Sequence, residues 1–295
     1  MEKSSLLKTW AFLGCLPLLL FSSCDKSPEG YGPKDGGMIE FNAIVSAVTR
    51  STIDWADFKC EFETNDAVGI FVVPHGSQLA ASGNYANNVK LVKQSDGTWN
   101  YADPDQAIFF PAEGVTLDIY AYYPYMEALS SPLALTFDAG TDQSAGAANS
   151  ELMWASMSDV SEDNNQISLQ FEHVFSMIQL EVSPADDSSI DLADVTSIDV
   201  KLNGLASAVT FNVGDGSAVL TGEAARIGME RKGGAYLFRA LVPVQPVAAG
   251  SILFSCTIGL KNASDGTDYT QFNYEAAPNT TLESGMVRIY DVKLP

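Results

Sequence analysis

The sequence predicts an all-β protein of two antiparallel sandwiches, and three observations carry that prediction. Segments rich in β-branched and aromatic residues recur at short intervals, turn residues separate them, and long helical periodicity is hard to find. The first group runs MIEFNAIVSAV, AVGIFVV, YANNVKLVKQ, TWNYA, AIFFPA, VTLDIYAYYPY, LALTFD, ELMWASM and QISLQFEHVFSMIQLEV. Gly, Asn, Asp and Pro clusters such as SDGTW, PAEG and SEDNN punctuate it. Within the last segment, EHVFSMIQLEV fits either a short helix or a strand, and its β-branched and aromatic content favours the strand. At SPADDSSIDLADV a proline and a run of acids and serines break the pattern. Strands then resume as VTSIDVKL, AVTFNV, AVLTG, AYLFRALVPV, SILFSCTIGL, DYTQFNYEA and MVRIYDVKL. The expected division is an N-terminal β-domain over 38–183 and a C-terminal one over 184–295. The small-residue run AGTDQSAGAANS reads as a mobile loop.

The N-terminus sets the compartment. Lys3 and Lys8 precede an apolar run from Trp10 to Phe21, and Ser22, Ser23 and Cys24 make a small-residue cleavage site, so residues 1–23 read as a signal peptide. The run is too short for the ~20 residues that a spanning helix needs. LLLFSSC is similar to the lipobox of bacterial lipoproteins, in which the cysteine, here Cys24, is lipidated and becomes the mature N-terminus. Residues 24–37, rich in Gly, Pro and charge, then form a flexible spacer.

Composition excludes one class of partner. The chain has 37 acids against 16 bases, and the first 23 residues carry one acid and two bases, so their removal takes the formal charge from −21 to −22. A nucleic acid would be repelled, and no basic stripe opposes that. Cys60 and Cys256 read as buried free thiols, a disulfide being the alternative.

The search for chemistry is mostly negative. HExxH, GxSxG, P-loop and GxGxxG patterns are absent. His75 and His173 are the only histidines, and His173, in FEHVF, reads as a structural histidine rather than a base or ligand. The acidic runs PADDSS and SDGTDY do not follow a Ca²⁺-loop alternation, so no metal, cofactor or catalytic residue is assigned. Tyr120, Tyr122, Tyr123 and Tyr125 cluster, and Trp55, Trp99 and Trp154 lie in the same half of the chain. Exposed, these rings would stack on sugars. Strand alternation instead sends Tyr120 and Tyr122 to one face and Ile119 and Ala121 to the other, so that about half the cluster is core.

Taken together, the lipobox at Cys24, FNAIVSAVTR, NDAVGIFVV, GTWNYADPDQAIFFPAEGVTLDIYAYYPY, ELMWAS, ISLQFEHVFSMIQLEV and LESGMVRIYDVKL resemble the fimbrillins, the FimA-like and Mfa-like pilus proteins of Bacteroidetes. One departure is Phe109-Phe110-Pro111, where members often carry a tryptophan before the proline. The resemblance implies two transthyretin-like domains, a lipid-anchored precursor, and a subunit of a cell-surface fimbria. It also implies cleavage by an arginine-specific protease between Arg50 and Ser51, removal of the strand Met38 to Val48, and polymerisation with other pilin subunits by strand exchange.

The residues give that mechanism a physical sense. Ile39, Phe41, Ala43, Val45 and Ala47 alternate onto one face of the first strand, so the row can point inward. Stripping the strand would open a sheet edge and an apolar slot, a template for a neighbour's strand. In MVRIYDVKL, Tyr290, Val292 and Leu294 share one face and Val287 and Ile289 the other; this is a candidate donor strand, or simply the last strand of the second domain. Two other readings stay open. One is an uncut, lipid-anchored pilus anchor or glycan-binding surface lipoprotein, with a host or bacterial surface glycan or protein as partner. The other is a hydrolase with a carboxylate pair about 5–10 Å apart.

Overall fold

The computed structural model describes residues 36–46, 61–111, 114–164, 166–233, 236–261, 269–277, 280 and 282–295. The signal segment, Cys24, the spacer up to residue 35, Ala47, Arg50, Ser51, Trp55 and Cys60 lie outside the described residues. The fold is all-β. The first half carries β1 (Glu40–Val45), β2 (Ala67–Pro74), β3 (Ala86–Lys93), β4 (Trp99–Tyr101), β5 (Leu117–Tyr123), β6 (Leu135–Asp138), β7 (Met153–Val160), β8 (Gln166–His173) and β9 (Ser176–Pro184). The second carries β10 (Val195–Leu205), β11 (Ala208–Phe211), β12 (Ala218–Thr221), β13 (Ala225–Gly228), β14 (Glu230–Arg231), β15 (Leu237–Val242), β16 (Ile252–Leu260), β17 (Tyr269–Glu275) and β18 (Val287–Leu294). The helical turns among the described residues are short 3-10 pieces.

Among the described residues these strands form four sheets, with orders β1-β8-β7-β5-β2-β3-β4, β13-β10-β16-β17, β12-β11-β6 and β14-β15-β9-β18. In the seven-stranded sheet, β7 and β8 share only the pairs Met153–His173 and Trp154–Glu172. The sheet therefore turns over at that point and lays β8 and β1 across the rest. Between the two walls lies the first core, with Val68, Ile70 and Val72 of β2 and Leu117, Ile119 and Ala121 of β5 facing Ile167, Leu169 and Phe171 of β8. A second core lies between the two four-stranded sheets, from Ile178, Leu180 and Val182 of β9 to Val200 and Leu202 of β10, Cys256 and Ile258 of β16 and Val292 and Leu294 of β18.

A third core joins residues far apart in sequence. Phe71 and Val73 of β2 and Tyr122 of β5 leave the opposite face of their strands and meet Leu135 and Phe137 of β6, Val209 and Phe211 of β11, and Met177 and Leu241. Strands β2 and β5 are thus buried on both faces, which explains their nearly continuous apolar composition.

Several expectations need correction. Not all pairing is antiparallel: β1 runs parallel to β8 and β18 parallel to β9. Both pairs join residues far apart in the chain, and a parallel neighbour requires such a long crossover. QISLQFEHVFSMIQLEV is two strands, because at Val174–Phe175 the chain passes from the seven-stranded sheet to the sheet of β9, where β15 and β18 are its neighbours. AIFFPA forms no strand and contributes one bridge, Phe109 to Met38. The stretch AGTDQSAGAANS is built in: Gln143, 2% exposed, donates from Nε2 to Leu241 O at 2.7 Å and accepts from Leu241 N–H at 2.8 Å, as a neighbouring strand would.

Candidate functional site: the first strand and its groove

Strand β1 sits on the edge of the seven-stranded sheet and pairs with β8 from Glu40–Gln166 to Val45–Phe171. Its alternation divides it cleanly. Ile39 is 0% exposed, Phe41 7% and Ala43 5%, all in the first core, and Val45 packs against that core half-buried; Glu40, Asn42 and Ile44 are exposed. Burying Ile39 and Phe41 contributes on the order of 1.5–3 kcal/mol each.

The two ends of β1 are held differently. Ahead of it, Gly36 N–H donates to Phe110 O at 3.3 Å, Phe110 N–H to Gly37 O at 3.0 Å, and Ile39 N–H to Ile108 O at 2.9 Å. Gly37 N–H also donates to Glu162 Oε1 at 2.7 Å. Tyr101, on the opposite edge strand β4, donates its hydroxyl to Ile39 O at 2.7 Å and sets its ring edge-on to Phe41, centroids 6.2 Å apart. Burial pushes the Tyr101 hydroxyl up to about 12. Tyr85 anchors the segment opposite by donating to Phe109 O at 2.7 Å. Beyond Ile39, among the described residues, the backbone pairs on the β8 side alone, as far as Ser46 N–H, which donates to Phe171 O at 2.7 Å.

Between the free edge of β1 and β4 lies a groove of about 980 Å³, lined by Met38, Phe41, Leu91, Trp99, Tyr101 and Phe109 among others. Its walls are largely apolar, and both sides are strand edges. An extended peptide fits such a shape better than a compact ligand does.

The candidate donor strand β18 occupies the edge of its own sheet. Val292 and Leu294 are buried in the second core, Tyr290 packs against it, and Val287 packs against the third core. Ile289 is half-buried. Tyr274 Oη donates to Lys293 O at 2.9 Å, Ala185 N–H to Leu294 O at 2.8 Å and Ser188 Oγ to Pro295 O at 2.8 Å.

The aromatic cluster is divided between the cores and the surface. Tyr122 is fully buried and its hydroxyl donates to Asn88 Oδ1 at 2.8 Å; Tyr120, Tyr123 and Tyr125 are half-buried. Trp99 is core, and Trp154 packs against the third core and donates to Val213 O at 2.7 Å. His173 is buried with Nδ1 3.0 Å from Glu151 Oε1. Cys256 is a buried free thiol, pushed up to about 12 by burial.

Sequence reasoning missed one polar cluster. Asp118 Oδ1 lies 2.8 Å from His75 Nδ1 and accepts from Ser158 Oγ at 2.6 Å and from Asp159 N–H at 2.9 Å; Oδ2 accepts from Gly76 N–H at 3.1 Å. The three residue types are those of a hydrolytic triad, but here the carboxylate itself accepts the serine's hydrogen bond, and Ser158 Oγ lies farther from His75 Nδ1, at 3.4 Å. The arrangement links the ends of β2, β5 and β7. Burial pushes Asp118 up, and the hydrogen bonds from Ser158, His75, Asp159 and Gly76 outweigh it and hold the carboxyl at about 2. No sequence spacing signals it, since the partners are about 40 residues apart.

This all-β fold is shared with solved structures from Bacteroides. A structure described as "a putative cell adhesion protein" from Bacteroides uniformis matches with TM-score 0.64 and 22% identity, covering 87% of this chain and 94% of that one. A fimbrial protein from Bacteroides vulgatus matches with TM-score 0.53 and 14% identity, covering 87% and 95%. In sequence, the protein described as "Putative fimbrium subunit Fim1C" of Bacteroides uniformis is 24% identical over 221 residues, 74% of this chain and 70% of that one. The family model described as "Fimbrillin-like" matches residues 49–295, and the chain belongs to that family.

Proposed function

We propose that the protein is a structural, non-enzymatic subunit of a cell-surface fimbria, exported as a lipoprotein through Cys24, trimmed between Arg50 and Ser51, and polymerised by strand exchange. What supports the reading is the seating of β1: an edge strand, paired on one side, with Ile39, Phe41 and Ala43 turned into the first core. Its removal would expose Ile167, Leu169 and Phe171 of β8 beside the existing groove. The slot would bind a strand of another subunit through main-chain pairing and pockets at alternate residues. An N-terminal transthyretin-like domain over 38–183 and a C-terminal one over 184–295 follow from the same reading. Its partners are other pilin subunits, an arginine-specific protease, the outer membrane through the lipid, and a surface glycan or protein as adhesion target.

β18 remains the candidate donor. To serve, it must leave β9 and extract Val292 and Leu294, so donation would be coupled to opening of the second core's edge.

The test is the N-terminus of the protein recovered from cells, followed by gel filtration of trimmed material. Ser51 as first residue, with oligomers forming after trimming, is the expected result. A lipidated Cys24 in the assembled form would establish the uncut anchor instead, and a trimmed protein that stays monomeric would end the exchange mechanism.

A further inference from the structure

We propose that β1 is released in one direction only, peeling from Val45 toward a clasp at residues 36–39 that lets go last. The proposal rests on the trimming reading for its function, but the clasp itself is a property of the uncut fold. At the N-terminal end the backbone is held from two sides: by Ile108, Phe110 and the Tyr101 hydroxyl on one, and by β8 and Glu162 on the other. Ile39, within the clasp, is wholly buried. At the C-terminal end, among the described residues, β8 alone pairs with the strand, and Val45 is half-buried.

Ile39 shows why the two ends differ. In a parallel ladder a residue directs its N–H and C=O to the same side, and successive residues alternate sides. Both groups of Ile39 point away from β8, and both are satisfied, by Ile108 O and by Tyr101. By the same alternation, Phe41, Ala43 and Val45 also turn their N–H and C=O away from β8. No strand pairs with that edge among the described residues.

Direction has a consequence. A cut after Arg50 frees the chain beyond Val45 and leaves the clasp on the same fragment as everything N-terminal to it. The trimmed subunit therefore stays attached to its tether until an incoming strand, entering at the Phe171 end of β8, has displaced β1 as far as the clasp. Cleavage would permit exchange, and completed exchange would permit departure.

Amide exchange on the uncut mature chain reads the asymmetry directly. Ile39 N–H and Phe110 N–H should exchange about tenfold or more slowly than Ser46 N–H, as expected for units that open separately. In Tyr101→Phe, which keeps the ring, the Ile39 amide should speed up about three- to tenfold while Ser46 is unchanged. Equal protection at both ends, or an unchanged Ile39 rate in Tyr101→Phe, overturns the clasp. After limited trypsin cleavage, the N-terminal fragment should leave Tyr101→Phe faster than the parent protein. A fragment that stays bound to the parent protein even while cleaved subunits join one another, with the amide pattern as expected, would leave the clasp standing and sink the trimming mechanism instead.

Discussion

Gly69 and Tyr122 show how much of this fold rests on single atoms. A β-carbon built on Gly69 would stand 2.2 Å from Tyr122 Cε1 and 2.7 Å from Asn88 Oδ1. The glycine lets the ring lie flat across β2, and the hydroxyl beyond it donates to Asn88 Oδ1 and accepts from Met126 N–H at 3.1 Å. Gly69→Ala should therefore cost about 1–3 kcal/mol through overpacking, read as a lower urea midpoint. Tyr122→Phe keeps the ring and strands the Met126 donor, for a loss of about 1 kcal/mol. If Gly69→Ala proves as stable as the parent, the ring has another place to lie. Strand alternation made the Tyr120 and Tyr122 face legible in the sequence. That this face is also buried, in a third core, was not legible, because its partners Leu135, Val209, Phe211 and Leu241 come from elsewhere in the chain.

At the scale of elements, the brace of β2, β5 and β7 predicts a pH dependence of definite sign. The hydrogen bond to Asp118 raises His75 above 6.5, against a smaller opposing effect of burial. Its stabilisation is then complete below 6.5 and lost as pH rises through the raised folded value. Asp118, held at about 2 against 3.8, contributes above 3.8 and loses its contribution as pH falls through about 2. The window in which both act is about pH 4 to 6.5. His75→Gln should show its largest loss of denaturant midpoint there, shrinking as pH rises beyond it. A loss that grows with pH would contradict the pairing. None of this was readable in sequence, whereas the inward row of β1 was, because period-two alternation is a local property. Where local pattern misled, a distant partner had intervened. AIFFPA is apolar enough for a strand, yet Ile108 and Phe110 spend their backbone bonds on Gly36, Gly37 and Ile39. The small-residue run 139–150 has a loop's composition, yet Gln143 ties it to Leu241. Strand pattern likewise carries straight through Val174–Phe175, where the chain changes sheet.

For the whole molecule, charge opposes the assembly that the edge strand invites. Each chain carries 37 acids against 16 bases, so two subunits approaching end to end repel one another while the groove itself offers mainly apolar walls and main-chain edges. Repulsion between separated charges is screened over a Debye length, about 30 Å at 0.01 M salt and 8 Å at 0.15 M; burial of apolar side chains and strand pairing are not weakened in this way. Trimmed protein should accordingly assemble slowly at 0.01 M salt and several-fold faster at 0.15 M, by light scattering at fixed concentration. The increase should level off by about 0.5 M, where the repulsion is largely gone. If instead the rate falls as salt is added, the subunits are meeting through complementary ion pairs, and the apolar groove beside β1 is not where they join.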